Sequence, residues 1–169
     1  MTNDIKGRWY VQSWTQEYDD GRVTHPFGEK LEGFIEYGEG TMFCLVTRAP
    51  RTLFSSGGQW DASDKDKAAA YNEFLSYAGG YSLDDDHVTH HVELSIFPNW
   101  QGGKQRRKIV RGENGELMLV ARLEEGTPEP EAEMDRLGLI LLRDVGGEGA
   151  RLAALGADGV LQGAGPVRS

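Results

Sequence analysis

The sequence holds a single cysteine, Cys44, so no disulfide can close within the chain. It opens Met1-Thr2-Asn3-Asp4, without the basic-then-apolar run of a secretory signal, which points to the cytoplasm. No apolar stretch approaches the ~18 residues of a membrane-spanning helix. Positive charge is scarce: 18 Lys and Arg stand against 27 Asp and Glu, a formal net charge of -9. Phosphate backbones and anionic lipid surfaces are repelled by such a chain, so neither nucleic acid nor membrane is an expected partner. No Gly-rich phosphate loop leads from a strand into a helix, and no Gly-x-Ser-x-Gly nucleophile motif is present. His87, His90 and His91 are close in sequence, but His87 sits in an acidic turn and the other two point to opposite faces of a strand. Neither a metal nor another cofactor is expected.

What is abundant is glycine, 23 residues in 169, scattered between short apolar runs that contain aromatics. A chain of this length buries roughly 70% of its unfolded surface in one core, and this composition suits a many-turned β protein better than a helical bundle. Alternation places a first strand at Arg8 to Tyr18, with Trp9, Val11, Ser13 and Thr15 on one face and Tyr10, Gln12 and Trp14 on the other. Strands follow at Lys30 to Tyr37 and Thr41 to Thr47, joined by the tight Gly38-Glu39-Gly40 connection. Further strands are expected at Gly80 to Leu83, Val88 to Phe97, Lys104 to Arg111, Glu116 to Arg122 and Leu137 to Arg143. Between them lie the turn-like Asp84-Asp85-Asp86, Asn99 to Gly103 and Glu113-Asn114-Gly115.

One segment changes period. From Ser63 to Ala78, Ala68, Tyr71, Leu75 and Ala78 recur along a helical stripe, with Ser63 and Asp66 resembling a capping box and Gly79-Gly80 supplying the stop. About eight strands and one inserted helix predict an all-β fold, a closed up-and-down antiparallel barrel, with a sandwich as the alternative. An eight-stranded barrel is wide enough inside for side chains or one small ligand. The barrel is expected over residues 1–145. The acidic, proline-containing stretch from Glu124 to Asp135 reads as a solvated loop, and residues 146–169 as a flexible Gly- and Ala-rich tail in which Arg151 to Leu155 could form one helical turn.

Ala78-Gly79-Gly80-Tyr81, His87-Val88-Thr89-His90-His91-Val92-Glu93-Leu94-Ser95 and Pro98-Asn99-Trp100, with Gly102, Gln105 and Arg107, resemble the bacterial and fungal lipocalin-like domain family. The resemblance extends through Gly7-Arg8-Trp9, Asp20-Gly21, Pro26, Gly28, Tyr37, Gly40 and Met42, about residues 5 to 145. It implies a calycin-type barrel in which Trp9 plugs the closed end beneath Arg143, a guanidinium over an indole face being worth ~0.5–2 kcal/mol. The sequence departs from ordinary lipocalins in carrying its helix after the third strand. That position suggests a lid over the open end.

Within this frame His90 shares a strand face with Val88, Val92, Leu94 and Ile96, and His91 shares the other with Thr89, Glu93 and Ser95. An imidazole among aliphatic side chains is held neutral and can serve as a base. The bland alternative is a histidine hydrogen-bonded in the core. Arg107 on the next strand can stabilise an oxyanion or pair with Glu93, and the Tyr81 hydroxyl can donate to a ligand oxygen. Trp14, Tyr37, Phe43, Phe97 and Trp100 offer aromatic surface, with Arg48 at the mouth. Two functions follow. In one, the barrel binds a small hydrophobic, aromatic or polycyclic carbonyl compound and His90, Arg107 and Tyr81 convert it without a cofactor, as an isomerase, cyclase or lyase. In the other it is a non-catalytic carrier or sequestering protein for such a molecule. The sequence leaves a homodimer open.

Overall fold

Alternation in the sequence becomes alternation in burial along most strands of the computed structural model, which describes residues 4–18, 20–122 and 136–144, the last stretch and Arg122 by backbone alone. The strands are β1 (Gly7–Tyr18), the two-residue β2 (Val23–Thr24), β3 (Leu31–Tyr37), β4 (Thr41–Arg48), β5 (Phe74–Asp84), β6 (His87–Ser95), β7 (Lys104–Arg111), β8 (Glu116–Arg122) and β9 (Arg136–Asp144). They form one antiparallel sheet in the order β2-β1-β3-β4-β5-β6-β7-β8-β9, and β9 also pairs with β1 from Trp9 to Tyr18. The expected meander is therefore present as a single curled sheet whose last strand lies against its first. Residues 124–135 and the tail 146–169, for which a loop and a mobile segment were expected, lie outside the described residues. Among the described residues no helix is long and apolar enough to cross a membrane.

Two bulges decide which side chains face inward. Between Val11 and Ser13 the β1–β9 register slips, so Trp14, opposite Ile140, returns to the face of Trp9 and Val11 instead of joining Tyr10. A second slip lies between Ala78↔Leu94 and Gly79↔Val92; it leaves Glu93 unopposed and turns Leu94, 66% exposed, away from the face of His90 and Val92. Strict alternation had put Trp14 and Leu94 on the wrong faces for this reason.

The connections differ at the two ends of the sheet. Tight turns join β3 to β4, β5 to β6 and β7 to β8, all at one end, whereas the longer links after β1, β4 and β6 are all at the other. The tight end is plugged. Trp9 and Ile5 are buried there, and the Trp9 indole Nε1 donates to the Ile5 carbonyl at 2.7 Å. Above them the core is built from Ile35, Val46, Val88, Val92, Leu117 and Leu119.

The helix, α1 (Asp64–Asn72), is shorter than its sequence pattern predicts. Ser63 caps it as expected, accepting from the Asp66 N–H at 3.1 Å and donating to the Asp66 carboxylate at 2.7 Å. It stops at Asn72 because Leu75 and Tyr77 are buried on alternate positions and belong to β5. Gly79, read as a helix stop, lies inside that strand: a Cβ there would fall 1.9 Å from the His91 carbonyl oxygen, so only glycine admits the bulge. No residue of α1 is buried, and it therefore lays no apolar stripe over the open end as a lid would.

Candidate functional site

The inward face of the sheet is mostly aliphatic, and one polar group is set deep within it. His90 on β6 is fully buried between Val88 and Val92. Its Nε2 lies 2.8 Å from the Tyr37 hydroxyl on β3 and its Nδ1 lies 2.8 Å from the Tyr77 hydroxyl on β5. A neutral imidazole has one N–H and one lone pair, so one tyrosine donates to the ring and the other receives its proton. Burial, reinforced by the nearby positive charge of Arg107, lowers the His90 pKa to about 3. The same desolvation pushes both tyrosines up, Tyr37 well above its ordinary value. All three groups are held in their neutral forms. Tyr77 escaped the sequence reading because it fell within the Ser63 to Ala78 segment read as helix; the alternation Leu75, Tyr77 was the signal that would have found it.

Arg107 points to the same interior. The register pairs Val88 with Arg107 and His90 with Gln105, which puts both β7 side chains on the inward face. Arg107 Nη2 donates to Gln105 Oε1 at 3.4 Å, the guanidinium also donates to the Tyr77 hydroxyl, and its Nε is buried with no hydrogen-bond partner among the described residues. Its charge acts on Tyr37, Tyr77, His90 and Cys44, opposing ionisation of His90 and favouring that of the others. Cys44, fully buried on β4, is nonetheless raised to about 12 by desolvation.

Towards the end with the long connections the inward face turns aromatic. Trp14 of β1 stacks on Phe27 with centroids 5.0 Å apart. Trp100, in the 3-10 turn Pro98–Trp100 that follows β6, meets the Tyr77 ring edge-on at 5.8 Å, and Phe97 meets Trp100 at 5.6 Å. Trp14, Phe27 and Trp100 are half-buried against the core. Arg48 is exposed at this rim, its register opposite Leu31, and its guanidinium lies beside Gly28.

Other expected site residues stand elsewhere. Tyr81 is inward, but it packs edge-on against Tyr37 at 5.0 Å and its hydroxyl donates to the Gly38 carbonyl at 3.0 Å, at the plugged end. Phe43 lies on the outer face, edge-on to Phe34 at 5.7 Å, because Met42 and Cys44 take the inward positions. His91 is also outside, its Nε2 2.9 Å from the Ser82 hydroxyl. Glu93 is exposed at the bulge and makes no ion pair with Arg107 among the described residues. The cation over the Trp9 indole is Arg111, its guanidinium carbon 5.6 Å from the ring centroid. Arg143 pairs through its backbone with Tyr10, and its side chain lies outside the described residues. Among the described residues no group of His, Cys, Asp and Glu side chains is arranged to hold a metal.

Comparison with known proteins gives likenesses of three kinds. The family model of the lipocalin-like domain matches residues 6–135. A protein of Aspergillus oryzae described as the 4'-hydroxy-3'-methoxypropiophenone carrier protein ppsC is 33% identical over 67 residues, 34% of this chain; the chain thus spans about 60% of the length of that curated relative. Among solved structures, a lipocalin-like protein from Bacteroides uniformis is 16% identical with a TM-score of 0.41, the likeness covering 83% of this chain and 98% of that one. An uncharacterized protein from Bacteroides eggerthii is 13% identical with a TM-score of 0.40, covering 83% and 100%.

Proposed function

Since the chain belongs to the lipocalin-like domain family, we propose that its curled sheet works as a closed barrel that carries one small, largely apolar aromatic molecule. The observation that carries this reading is the layering of the interior. Half-buried Trp14, Phe27 and Trp100 lie towards the open end, and the neutral Tyr37–His90–Tyr77 trio lies deeper. Small-molecule sites are typically apolar walls with a few convergent polar groups that fix orientation. Flat rings suit the aromatic wall, and the polar trio suits a ligand oxygen. The Aspergillus relative, named as a carrier of a phenolic ketone, is consistent with cargo of that kind.

Carriage is preferred over conversion because of His90. A general base needs a free lone pair and a pKa near the working pH, whereas both ring nitrogens are engaged and the pKa is about 3. Tyr81, with its hydroxyl on a backbone carbonyl, is equally committed. The test is a fluorescence titration with aryl ketones, followed by mass spectrometry of the recovered compound. Saturable quenching that weakens in Trp14→Phe and Trp100→Phe, with ligand recovered unchanged, is the expected result. A new product would replace carriage by catalysis, and no binding of any aromatic compound would remove the proposal.

A further inference from the structure

Among the described side chains, the interior carries a charge without a counter-charge. Inward positions on β1 and β3 to β8 include Trp9, Val11 and Trp14, aliphatic residues and glycine, and the neutral Gln16, Tyr37, Cys44, Tyr77, Tyr81, His90, Ser95 and Gln105; no described carboxylate is among the inward positions of these strands. Three cations share that face, Arg107 in its middle, Arg48 at the open rim and Arg111 over Trp9 at the plugged end, in a chain whose formal net charge is -9. Carboxylates are plentiful outside: Asp84 and Asp86 pair with Arg106 and Lys108 on the outer face of the sheet. Among the described side chains, negative charge thus lies outside the sheet and positive charge within. A guanidinium shielded from water is costly unless an anion or several acceptors meet its five N–H groups. Here Gln105 provides an acceptor at 3.4 Å and the Tyr77 hydroxyl a second, both neutral, and among the described residues the buried Nε has none.

We infer that Arg107 is the recognition group for an anionic ligand, and that the cargo is an aromatic acid: a planar ring system bearing one ionised oxygen group, carboxylate or phenolate. This rests on the carrier reading and specifies its ligand. The oxygen accepts from the free Arg107 N–H, the forked guanidinium suiting a two-oxygen or delocalised anion. Whichever of the Tyr37 and Tyr77 hydroxyls is not already donating to His90 is available as a second donor. The ring then occupies the layer of Trp14, Phe27 and Trp100. Arg48 at the rim attracts the anion inward against the repulsion of the acidic exterior.

The experiment compares charged and neutral ligands of one shape by calorimetry on the full chain: 2-naphthoate against 2-naphthamide, and 4-nitrophenolate against 4-nitroanisole at a pH that ionises the phenol. At least one anion is expected to bind about tenfold or more tightly than its neutral partner, and which pair shows it separates carboxylate from phenolate. In Arg107→Gln the preference is expected to vanish while the neutral compounds bind as before, and in Arg107→Lys part of it returns. The comparison on the unaltered protein decides the question even if a variant fails to fold. Neutral compounds binding as tightly as both anions would overturn the inference and leave the carrier reading standing. Failure of all four to bind would overturn both.

Discussion

Arg111 and Trp9 form the cap and plug of the tight-turn end: the guanidinium of β7 lies over the indole of β1 while Arg111 Nη2 also donates to the Asp4 carbonyl. The plug contributes more than the cap. Trp9→Ala removes a buried aromatic from the core and is expected to lower stability by ~3–5 kcal/mol. Arg111→Ala loses a cation–π contact of ~0.5–2 kcal/mol. Chemical denaturation of both variants checks the order; equal losses would mean that the indole is not packed as described.

The two tyrosines on His90 are expected to matter for stability even without a ligand. Tyr37→Phe or Tyr77→Phe leaves one buried ring nitrogen unmatched, a cost of ~1–3 kcal/mol. The double variant should cost less than the sum of the two, since the imidazole that both serve is shared. A double-mutant cycle by thermal unfolding measures this, and strict additivity would argue against one connected network.

Acid should loosen the fold through His90. The unfolded chain takes up a proton near pH 6.5, whereas the folded chain resists it until about pH 3. Unfolding therefore gains proton uptake as pH falls through this window, and stability is lost at roughly 1.4 kcal/mol per pH unit, being fully present above it. His90→Gln is expected to flatten the stability profile between those limits. A profile parallel to that of the unaltered protein would contradict the assignment.

Adjacent glycines should behave differently. Gly79→Ala places a methyl 1.9 Å from the His91 carbonyl oxygen, whereas the nearest atom to a methyl at Gly80 is the Gly40 carbonyl oxygen at 3.5 Å. The first substitution is expected to destabilise by about 1–3 kcal/mol or more, the second by well under 1 kcal/mol. Comparison of melting temperatures suffices.

Cys44, buried and with its thiol raised to about 12, should resist thiol reagents in the native protein at neutral pH and react fully once denaturant is added. Rapid native labelling would place it near solvent.

The antiparallel meander and several strand ends were legible because half-buried strands impose a period of two that short turns punctuate. Lys104 to Arg111 and Glu116 to Arg122 were placed to the residue. The misses have particular causes. A bulge leaves no mark in an alternating pattern, so Trp14 and Leu94 were assigned to the wrong faces. The spacing of Ala68, Tyr71, Leu75 and Ala78 fits a helix although a strand begins at Phe74. His90 and Arg107 were singled out by residue type and both face inward, but the His90 partners Tyr37 and Tyr77 arrive from β3 and β5. Sequence separations of 53 and 13 are set by the curl of the sheet and by no local signal.

The division between tight turns at one end and long links at the other has a kinetic corollary. If the sheet closes into the carrier proposed above, its stoppered base leaves a single port, and a resident molecule must leave before its successor can enter. Release of one cargo in the presence of another should then proceed at a rate independent of how much of the second is supplied.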